Sequence, residues 1–232
     1  MASSRAPGPG PCPLRTARRR LAALALPLLA AVLASLAAAG QARAEIGSWL
    51  VVHLTDGRII DAKNPLQPWY PASLTKLMTA YVTFAAIREG QVKETSPVRI
   101  SPQAASQPPS KMGFEVGTVL TVETALRILM TKSANDVSVA LAEAIGGTEA
   151  AFVAEMNRRA EALGLAQTHF NNPHGLPSYG QTTSARDMAV LVRALKTEFP
   201  DREDYFTMSG VRIGGRTYRN HNKLVRRFPG TT

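Results

Sequence analysis

A serine and a lysine stand three residues apart in the stretch WYPASLTKLMTAYV, which spans residues 69–82. Serine is a poor nucleophile until a neighbouring group removes its proton. Residues three apart lie on one side of a helix, so Lys76 is placed to reach Ser73. Burial disfavours a charged amine, and a neutral Lys76 would accept the serine proton. The alternative is a lysine whose stem packs on the helix while its ammonium group reaches solvent.

A second polar pair, Ser133 and Asn135, interrupts a helical pattern 60 residues after Ser73. A hydroxyl and an amide two residues apart on a short loop can point the same way. Ser133 would then relay a proton between Lys76 and a leaving amine, and Asn135 would bind a substrate amide. Capping of the next helix is the competing interpretation, because serine, asparagine and aspartate all favour that position.

The elements that must position these residues are predicted to be helices in the middle of the chain and strands at both ends. Two apolar runs flank Asp56-Gly57, which predicts a hairpin with a tight turn over residues 48–62. A core helix is predicted from about Ser73 to Arg88, closed by Gly90. Further helices are expected after the capping residues Thr121, Thr148 and Ser184.

The last of these caps is followed by Asp187, which fits a capping box. A second hairpin is predicted around Gly214-Gly215, close to the end of the chain. Helices in the middle and strands at both ends indicate the α+β class.

The first 44 residues have the composition of a secretory signal peptide. Five arginines and no acid precede an uncharged run from Leu21 to Ala39, and Ala42 and Ala44 supply the small residues of a cleavage site. An uncleaved membrane anchor is the alternative, because the apolar run is long for a signal. Cleavage predicts a secreted, periplasmic chain that starts near Glu45 and keeps no membrane anchor.

Charge and cysteine content exclude several classes of function. The formal net charge is +10, but without the six arginines of residues 1–44 the chain has 21 basic and 17 acidic side chains, so no nucleic-acid surface is predicted. The sole cysteine, Cys12, lies in the signal, so the mature part needs no disulfide. The four histidines show no zinc spacing, and we expect His174 to support a loop.

Taken together, these pieces resemble the penicillin-binding serine acyl-enzymes, which carry S-x-x-K and S-x-N motifs. More of the chain is similar to one branch, the secreted D-alanyl-D-alanine carboxypeptidases, which are low-molecular-mass penicillin-binding proteins. The resemblance spans residues 45–230 and implies a β-lactamase-like fold with a helical cluster against an antiparallel sheet. The stretches that carry it are PASLTKLMTAYV, KSANDVSVALAEAIGG, FVAEMNRRAEALGL, THFNNPHGL and GQTTSARDMAVLVRAL.

The resemblance implies a role for each candidate residue. Ser73 would attack the penultimate D-alanine of a peptidoglycan pentapeptide, with Lys76 as general base. Ser133 would pass the proton to the departing D-alanine, Asn135 would hold the peptide amide, and water would release the acyl-enzyme. A β-lactam would acylate Ser73 as a covalent inhibitor. No metal or organic cofactor is implied. We also predict that Lys76 is buried, with its amine within hydrogen-bond reach of Ser73 and Ser133.

One motif of the family, K-T-G, does not occur in the sequence. The family places it shortly after N-x-N-x-L, here NHNKL at residues 220–224. The resemblance implies that its lysine binds the substrate carboxylate and that its strand adds to the oxyanion hole, whose loss costs about two to three orders of magnitude in rate. We therefore expect a truncated product or a fragment, with an incomplete sheet, an unpaired first hairpin and poor order after about Tyr205.

Several other functions fit the same residues. A D,D-endopeptidase would cut peptidoglycan cross-links, and a β-lactamase would turn over β-lactams rapidly. A catalytically inert remnant that at most binds wall peptide is favoured by the missing K-T-G. An uncharacterised secreted structural domain is the remaining alternative.

Overall fold

The computed structural model describes residues 46–228 of the 232-residue chain. The predicted signal peptide lies outside the described residues. Contacts divide the chain after Ile46, and every element below belongs to the unit that begins at Gly47.

Helices and short strands alternate along this unit, which confirms the α+β class. The α-helices in the described part are α1 Thr75–Arg88, α2 Pro102–Ala105, α3 Val122–Lys132, α4 Asn135–Gly146, α5 Glu149–Ala162, α6 Ala185–Glu198, α7 Asp204–Thr207 and α8 Leu224–Arg227. Short 3-10 turns at Ala72–Leu74 and Pro200–Arg202 precede α1 and follow α6. Between residues 46 and 228, no single helix has both the length and the hydropathy to cross a bilayer, and α4 with α5 meets that test only as a pair bent by 85°.

The strands described form three separate antiparallel ladders. Their bounds are β1 Trp49–Val52 with β2 Ile59–Lys63, β3 Pro97–Arg99 with β4 Val119–Thr121, and β5 Gly210–Ile213 with β6 Arg216–Arg219. Within the described range β1 and β2 pair only with each other, as expected. Ile59 and Ile60 on β2 are 61% and 58% exposed, so the sheet that would bury them is incomplete here.

Helix α1 runs through the centre of the core. Every residue from Thr79 to Ala86 is buried, and the helix contacts α3, α4, α5 and α6. Phe84 packs its ring against three aromatic rings at centroid distances of 5.4–6.4 Å, those of Phe199, Tyr205 and Phe206. A helix enclosed on all sides tolerates a charged group only where hydrogen-bond partners satisfy it. Lys76 on this helix must therefore have such partners.

The predicted helix caps are confirmed. The side chains of three residues accept a hydrogen bond from the backbone N–H three positions on: Thr121, Thr148 and Ser184. Only one half of the predicted capping box at Ser184 forms: Asp187 N donates to Ser184 Oγ, but the carboxylate of Asp187 binds elsewhere. The carboxylate of Asp187 accepts from Gln167 N at 2.7 Å and Thr168 Oγ1 at 2.9 Å, because this buried acid anchors the loop before α6.

The first hairpin forms where predicted, but its predicted tight turn is wrong. His53 N donates to Arg58 O at 2.8 Å, so the loop holds four residues, 54–57. Asp56 closes this longer loop by accepting from Arg58 N at 3.0 Å, and Gly57 takes the left-handed conformation with φ 72°. The side chain of Asp56 thus stabilises a wider turn than the Asp-Gly pair suggests.

The expectation of poor order after about Tyr205 is wrong for residues 205–220, and residues 229–232 lie outside the described residues. Tyr205 and Val211 are buried members of the core, and the second hairpin turns at Gly214-Gly215 as predicted. Asn220 is also buried, with its amide donating to Met208 O at 2.8 Å. The segment packs because its apolar side chains cover α3, which would otherwise expose its face to water.

We predict that Phe84→Ala lowers the free energy of unfolding by ~3–5 kcal/mol, because it removes a fully enclosed ring and leaves a cavity. Urea unfolding followed by circular dichroism measures this. Tyr179→Ala, which removes a fully exposed ring, is the control and should change stability by less than ~0.5 kcal/mol. Equal effects of the two substitutions would contradict the central place of α1 in the core.

Candidate active site

Ser73 lies in the 3-10 turn directly before α1 and is exposed to solvent. The residue before it, Ala72, has φ 45°, a left-handed conformation that is costly for any residue but glycine. Such backbone outliers persist only where their surroundings hold them in place, and they concentrate at functional sites. The chain therefore enters α1 through a fixed, strained turn that presents the serine hydroxyl.

Lys76 is buried, with 4% of its surface exposed, as predicted. Its Nζ lies 2.6 Å from His174 O, 2.8 Å from Asn135 Oδ1 and 3.5 Å from Ser73 Oγ. Burial lowers the pKa of Lys76 to about 8 from its ordinary 10.5. The interpretation of a lysine that extends to solvent is therefore wrong, and the amine loses its proton at a lower pH than an ordinary lysine does.

The contacts of Lys76 decide what its amine can do once it is neutral. A neutral amine has two N–H bonds and one lone pair. The two short contacts go to carbonyl oxygens of His174 and Asn135, which can only accept, so they take both N–H bonds. The lone pair is then left for the hydroxyl of Ser73. A separation of 3.5 Å is long for a hydrogen bond, and such contacts commonly shorten when substrate binds.

The break between α3 and α4 brings Asn135 to the lysine. Helix α3 ends at Lys132, and Ser133 turns the chain in the left-handed region with φ 55°. The cap of α4 is Ala134, with no side-chain hydrogen bond, while the amide of Asn135 contacts Lys76 and donates to Pro108 O at 3.0 Å. The capping interpretation is therefore wrong for Asn135, whose amide is used by the site.

Ser133 departs from its predicted geometry. Its Oγ is buried and has no hydrogen-bond partner among residues 46–228, so the predicted bond to Lys76 is absent. The short contacts of the amine go instead to Asn135 and His174. A buried hydroxyl without a partner costs about 1–3 kcal/mol, and groups of this kind often have a functional use.

A buried carboxylate that the sequence did not single out supports this break. Asp136 is fully buried and accepts hydrogen bonds from Met112 N at 3.0 Å and Gly113 N at 2.9 Å. The same loop supplies Pro108 O, the acceptor for the Asn135 amide. Asp136 thus holds the loop that orients Asn135. Its position next to the S-x-N motif suggests a helix cap. Its role in holding the loop is revealed only by its contacts with Met112 N and Gly113 N.

A loop remote in sequence supplies the second acceptor for Lys76. The side-chain oxygen of Asn172 accepts from Gly175 N at 2.7 Å, and Leu176 N donates to Nδ1 of His174 at 3.1 Å. Burial, and then the charge of Lys76, lower the pKa of His174 to about 4, so its ring is neutral. The expectation that His174 supports a loop is confirmed. Its contact with the lysine is made by a backbone carbonyl, which no motif shows.

An open cleft of about 910 Å³ adjoins the turn that carries Ser73. Its lining is mostly apolar and includes Ala72, Gly175 and the exposed aromatic rings of Trp69, Tyr70 and Tyr179. Apolar clefts with a few polar groups at one end are typical binding sites for small molecules and peptides. The described residues contain no cluster of three or more His, Cys, Asp or Glu that could hold a metal ion. The chemistry that the site itself offers is nucleophilic attack with a lysine base.

Solved structures place this fold among the penicillin-binding proteins. Penicillin binding protein 5 from Haemophilus influenzae matches with a TM-score of 0.75 and 34% identity, covering 78% of this chain and 54% of that one. Penicillin binding protein 6B from Escherichia coli matches with a TM-score of 0.73 and 38% identity, covering 77% and 58%.

The sequence gives the family. The family model described as D-alanyl-D-alanine carboxypeptidase matches residues 35–230. The D-alanyl-D-alanine carboxypeptidase DacF of Bacillus subtilis is 36% identical over 192 residues, which is 80% of this chain and 49% of that protein. DacD of Escherichia coli is 38% identical over 185 residues, covering 77% and 48%. The chain belongs to the D-alanyl-D-alanine carboxypeptidase family, and it spans about half the length of the curated relatives it matches.

We predict that Asp136→Asn lowers the free energy of unfolding by ~1–3 kcal/mol, because an amide group would face backbone N–H donors that now bind a carboxylate. Thermal and urea unfolding measure the change. Glu161→Gln, at an exposed position, is the control and should have little effect. An unchanged stability of Asp136→Asn would show that the loop at residues 108–113 is held by other contacts.

Proposed function

We propose that this chain carries the acylation machinery of a serine-type D-Ala-D-Ala carboxypeptidase, which removes the terminal D-alanine of peptidoglycan stem peptides. The observation that supports it best is the buried amine of Lys76, which lies 3.5 Å from the exposed nucleophile Ser73 and has both N–H bonds taken by acceptors. Family membership supplies the substrate class.

In the acylation step, neutral Lys76 takes the proton from Ser73 Oγ as that oxygen attacks the carbonyl carbon of the penultimate D-alanine. The start of α1 offers its backbone N–H groups and the positive end of its dipole, which stabilise negative charge beside the serine. Asn135 has its Oδ1 committed to Lys76 and its NH₂ to Pro108, so its second N–H is the one free for the substrate amide.

Collapse of the tetrahedral intermediate breaks the peptide C–N bond and leaves Ser73 as an ester. The departing D-alanine nitrogen needs one proton, which in this proposal comes from the ammonium of Lys76 through the hydroxyl of Ser133. The described structure has no hydrogen bond between these two groups, so the transfer requires that they come into contact when substrate binds. The Ser133 hydroxyl has no other partner there, so no existing bond has to break. Water then attacks the ester, with Lys76 again as base, and restores the serine.

The same serine would be acylated by a β-lactam, whose strained amide presents a carbonyl in place of the peptide. Penicillin binding protein 5, which has this fold at 34% identity, carries that property in its name. We further propose that the protein acts in the periplasm on the cell wall, after removal of the signal at residues 1–44. The wall polymer lies outside the inner membrane, so a substrate of this class requires export.

The first test is labelling of the chain with a fluorescent penicillin, resolved on a denaturing gel. We expect one covalent band that disappears in Ser73→Ala, because the ester oxygen is lost. Ser209→Ala, which removes an exposed hydroxyl elsewhere, is the control and should label normally. The absence of a band from a chain with a folded circular-dichroism spectrum would support the inert interpretation and contradict the proposal.

Product analysis distinguishes the second candidate, a D,D-endopeptidase. A D-alanyl-D-alanine endopeptidase of Pseudomonas aeruginosa is 29% identical over 187 residues, covering 77% of this chain and 58% of that protein. The chain is incubated separately with a pentapeptide and with a cross-linked dimer. Release of D-alanine from the pentapeptide supports the carboxypeptidase, whereas cleavage of the dimer alone supports the endopeptidase. Rapid hydrolysis of a β-lactam would instead indicate a β-lactamase.

A further inference from the structure

One short segment, residues 172–176, contacts both the proposed base, Lys76, and the backbone next to the proposed nucleophile, Ser73. The backbone carbonyl of His174 accepts from Nζ of Lys76 at 2.6 Å. The next residue, Gly175, lies directly against the carbonyl of Ala72, the residue that precedes Ser73. The base and the backbone of the nucleophile thus rest on adjacent residues of one loop.

Gly175 is the position that permits this approach. Its φ is +88°, and a Cβ built there would lie 1.8 Å from Ala72 O and 2.4 Å from Ala72 C. The same atom would lie 2.9 Å from Thr75 Oγ1. No side chain fits such a space, and the blocking atoms belong to backbone, which cannot swing away. The strained conformation of Ala72 and the glycine therefore lock against each other.

The segment is fixed at its other contacts by hydrogen bonds to two helices. Pro173 O accepts from Thr79 Oγ1 on α1 at 2.6 Å and from Ser138 Oγ on α4 at 2.5 Å. Asn172 braces the loop internally, with its oxygen accepting from Gly175 N and its amide donating to Leu176 O at 3.0 Å. These hydrogen bonds hold the loop in one conformation, so the groups that contact it are kept in fixed positions.

We propose that residues 172–176 form a positioning segment that sets the separation of Ser73 Oγ and Lys76 Nζ, with Asn172 and Gly175 as its positioning residues. The proposal rests on the function proposed above. Neither residue touches the reacting atoms: Asn172 acts through the His174 carbonyl on the base, and Gly175 acts through Ala72 on the nucleophile.

The electrostatics around the amine make the first half of this proposal measurable. The titratable group that interacts with Lys76 is His174, whose ring is neutral because burial and the charge of Lys76 lower its pKa to about 4. The carboxylate of Asp136 on α4 binds the backbone of residues 112–113 instead. The pKa of Lys76, about 8, is lowered by burial alone. If the segment loosens, water reaches the amine and the pKa rises toward 10.5.

The test of Asn172 is a titration of Lys76 by NMR, in chain labelled with ¹³C at lysine Cε and with Lys76→Met to assign the signal. We expect the midpoint to rise from about 8 toward 10.5 in Asn172→Ala. Asn171→Ala is the matched control, because that amide binds Tyr179 O instead of the segment. Equal midpoints in the two variants would overturn the proposal. Circular dichroism across the titration range shows that both variants stay folded, because unfolding would also expose Lys76 and raise its pKa.

The test of Gly175 is the rate of fluorescent-penicillin labelling at pH 9. We expect Gly175→Ala to label about 10- to 100-fold more slowly than wild type, because a displaced nucleophile loses its alignment. Gly164→Ala is the matched control: it shares the left-handed backbone, with φ +68°, but its Cβ would meet nothing within 4 Å. Equal labelling rates in the two glycine variants would overturn the role of Gly175.

The two experiments separate the possible failures. If Gly175→Ala does not fold, the titration of Asn172→Ala decides the proposal alone. If the wild-type chain is not labelled by penicillin, the proposed function fails, and the NMR midpoints still show whether the segment controls the burial of Lys76.

Discussion

The burial of one lysine amine is the constraint on which the rest of the site depends. Lys76 projects from a helix that is enclosed on nearly all sides, so its charged form is deprived of water and its pKa is lowered to about 8. A buried amine without partners would be strongly destabilising. Two carbonyl oxygens, from Asn135 and His174, satisfy it without supplying the negative charge that would keep it protonated. In the proposed mechanism, these neutral partners allow the lysine to act as a base rather than as half of an ion pair.

Three separate pieces of chain converge to provide those partners. The break between α3 and α4 supplies Asn135, and Asp136 fixes the loop that orients it. The segment at residues 172–176 supplies His174 O and supports the strained turn at Ala72. Hydrogen bonds hold two of these pieces against the helices: Pro173 O accepts from α1 and α4, and the backbone of residues 112–113 donates to Asp136 on α4. The helical cluster therefore serves as a rigid frame, and the reactive pair lies at its edge, where Ser73 meets solvent.

What could be predicted from the sequence is mainly what depends on neighbours along the chain. The approach of Lys76 to Ser73 follows from helical spacing, and the caps at Thr121, Thr148 and Ser184 follow from residues three positions apart. The burial of Lys76 also followed, because apolar residues surround it on the helix. The His174 carbonyl could not be predicted, since a backbone atom 98 residues away from Lys76 has no signature in side-chain type. The missing bond of Ser133 and the packed segment after Tyr205 were mispredicted for the same reason. Both depend on contacts with residues that lie far away in the sequence.

The pH dependence of acylation by benzylpenicillin in the unaltered chain tests the central claim most directly. Lys76 can accept the serine proton only when it is deprotonated. The second-order rate constant should therefore rise about tenfold per pH unit below the pKa of Lys76 and level off above pH 8. The midpoint should coincide with the lowered pKa of the buried amine. A rate that does not change between pH 6 and 9 would show that deprotonation of Lys76 does not control the attack by Ser73. A rate that keeps rising past pH 10 would show that burial does not lower the pKa of this amine.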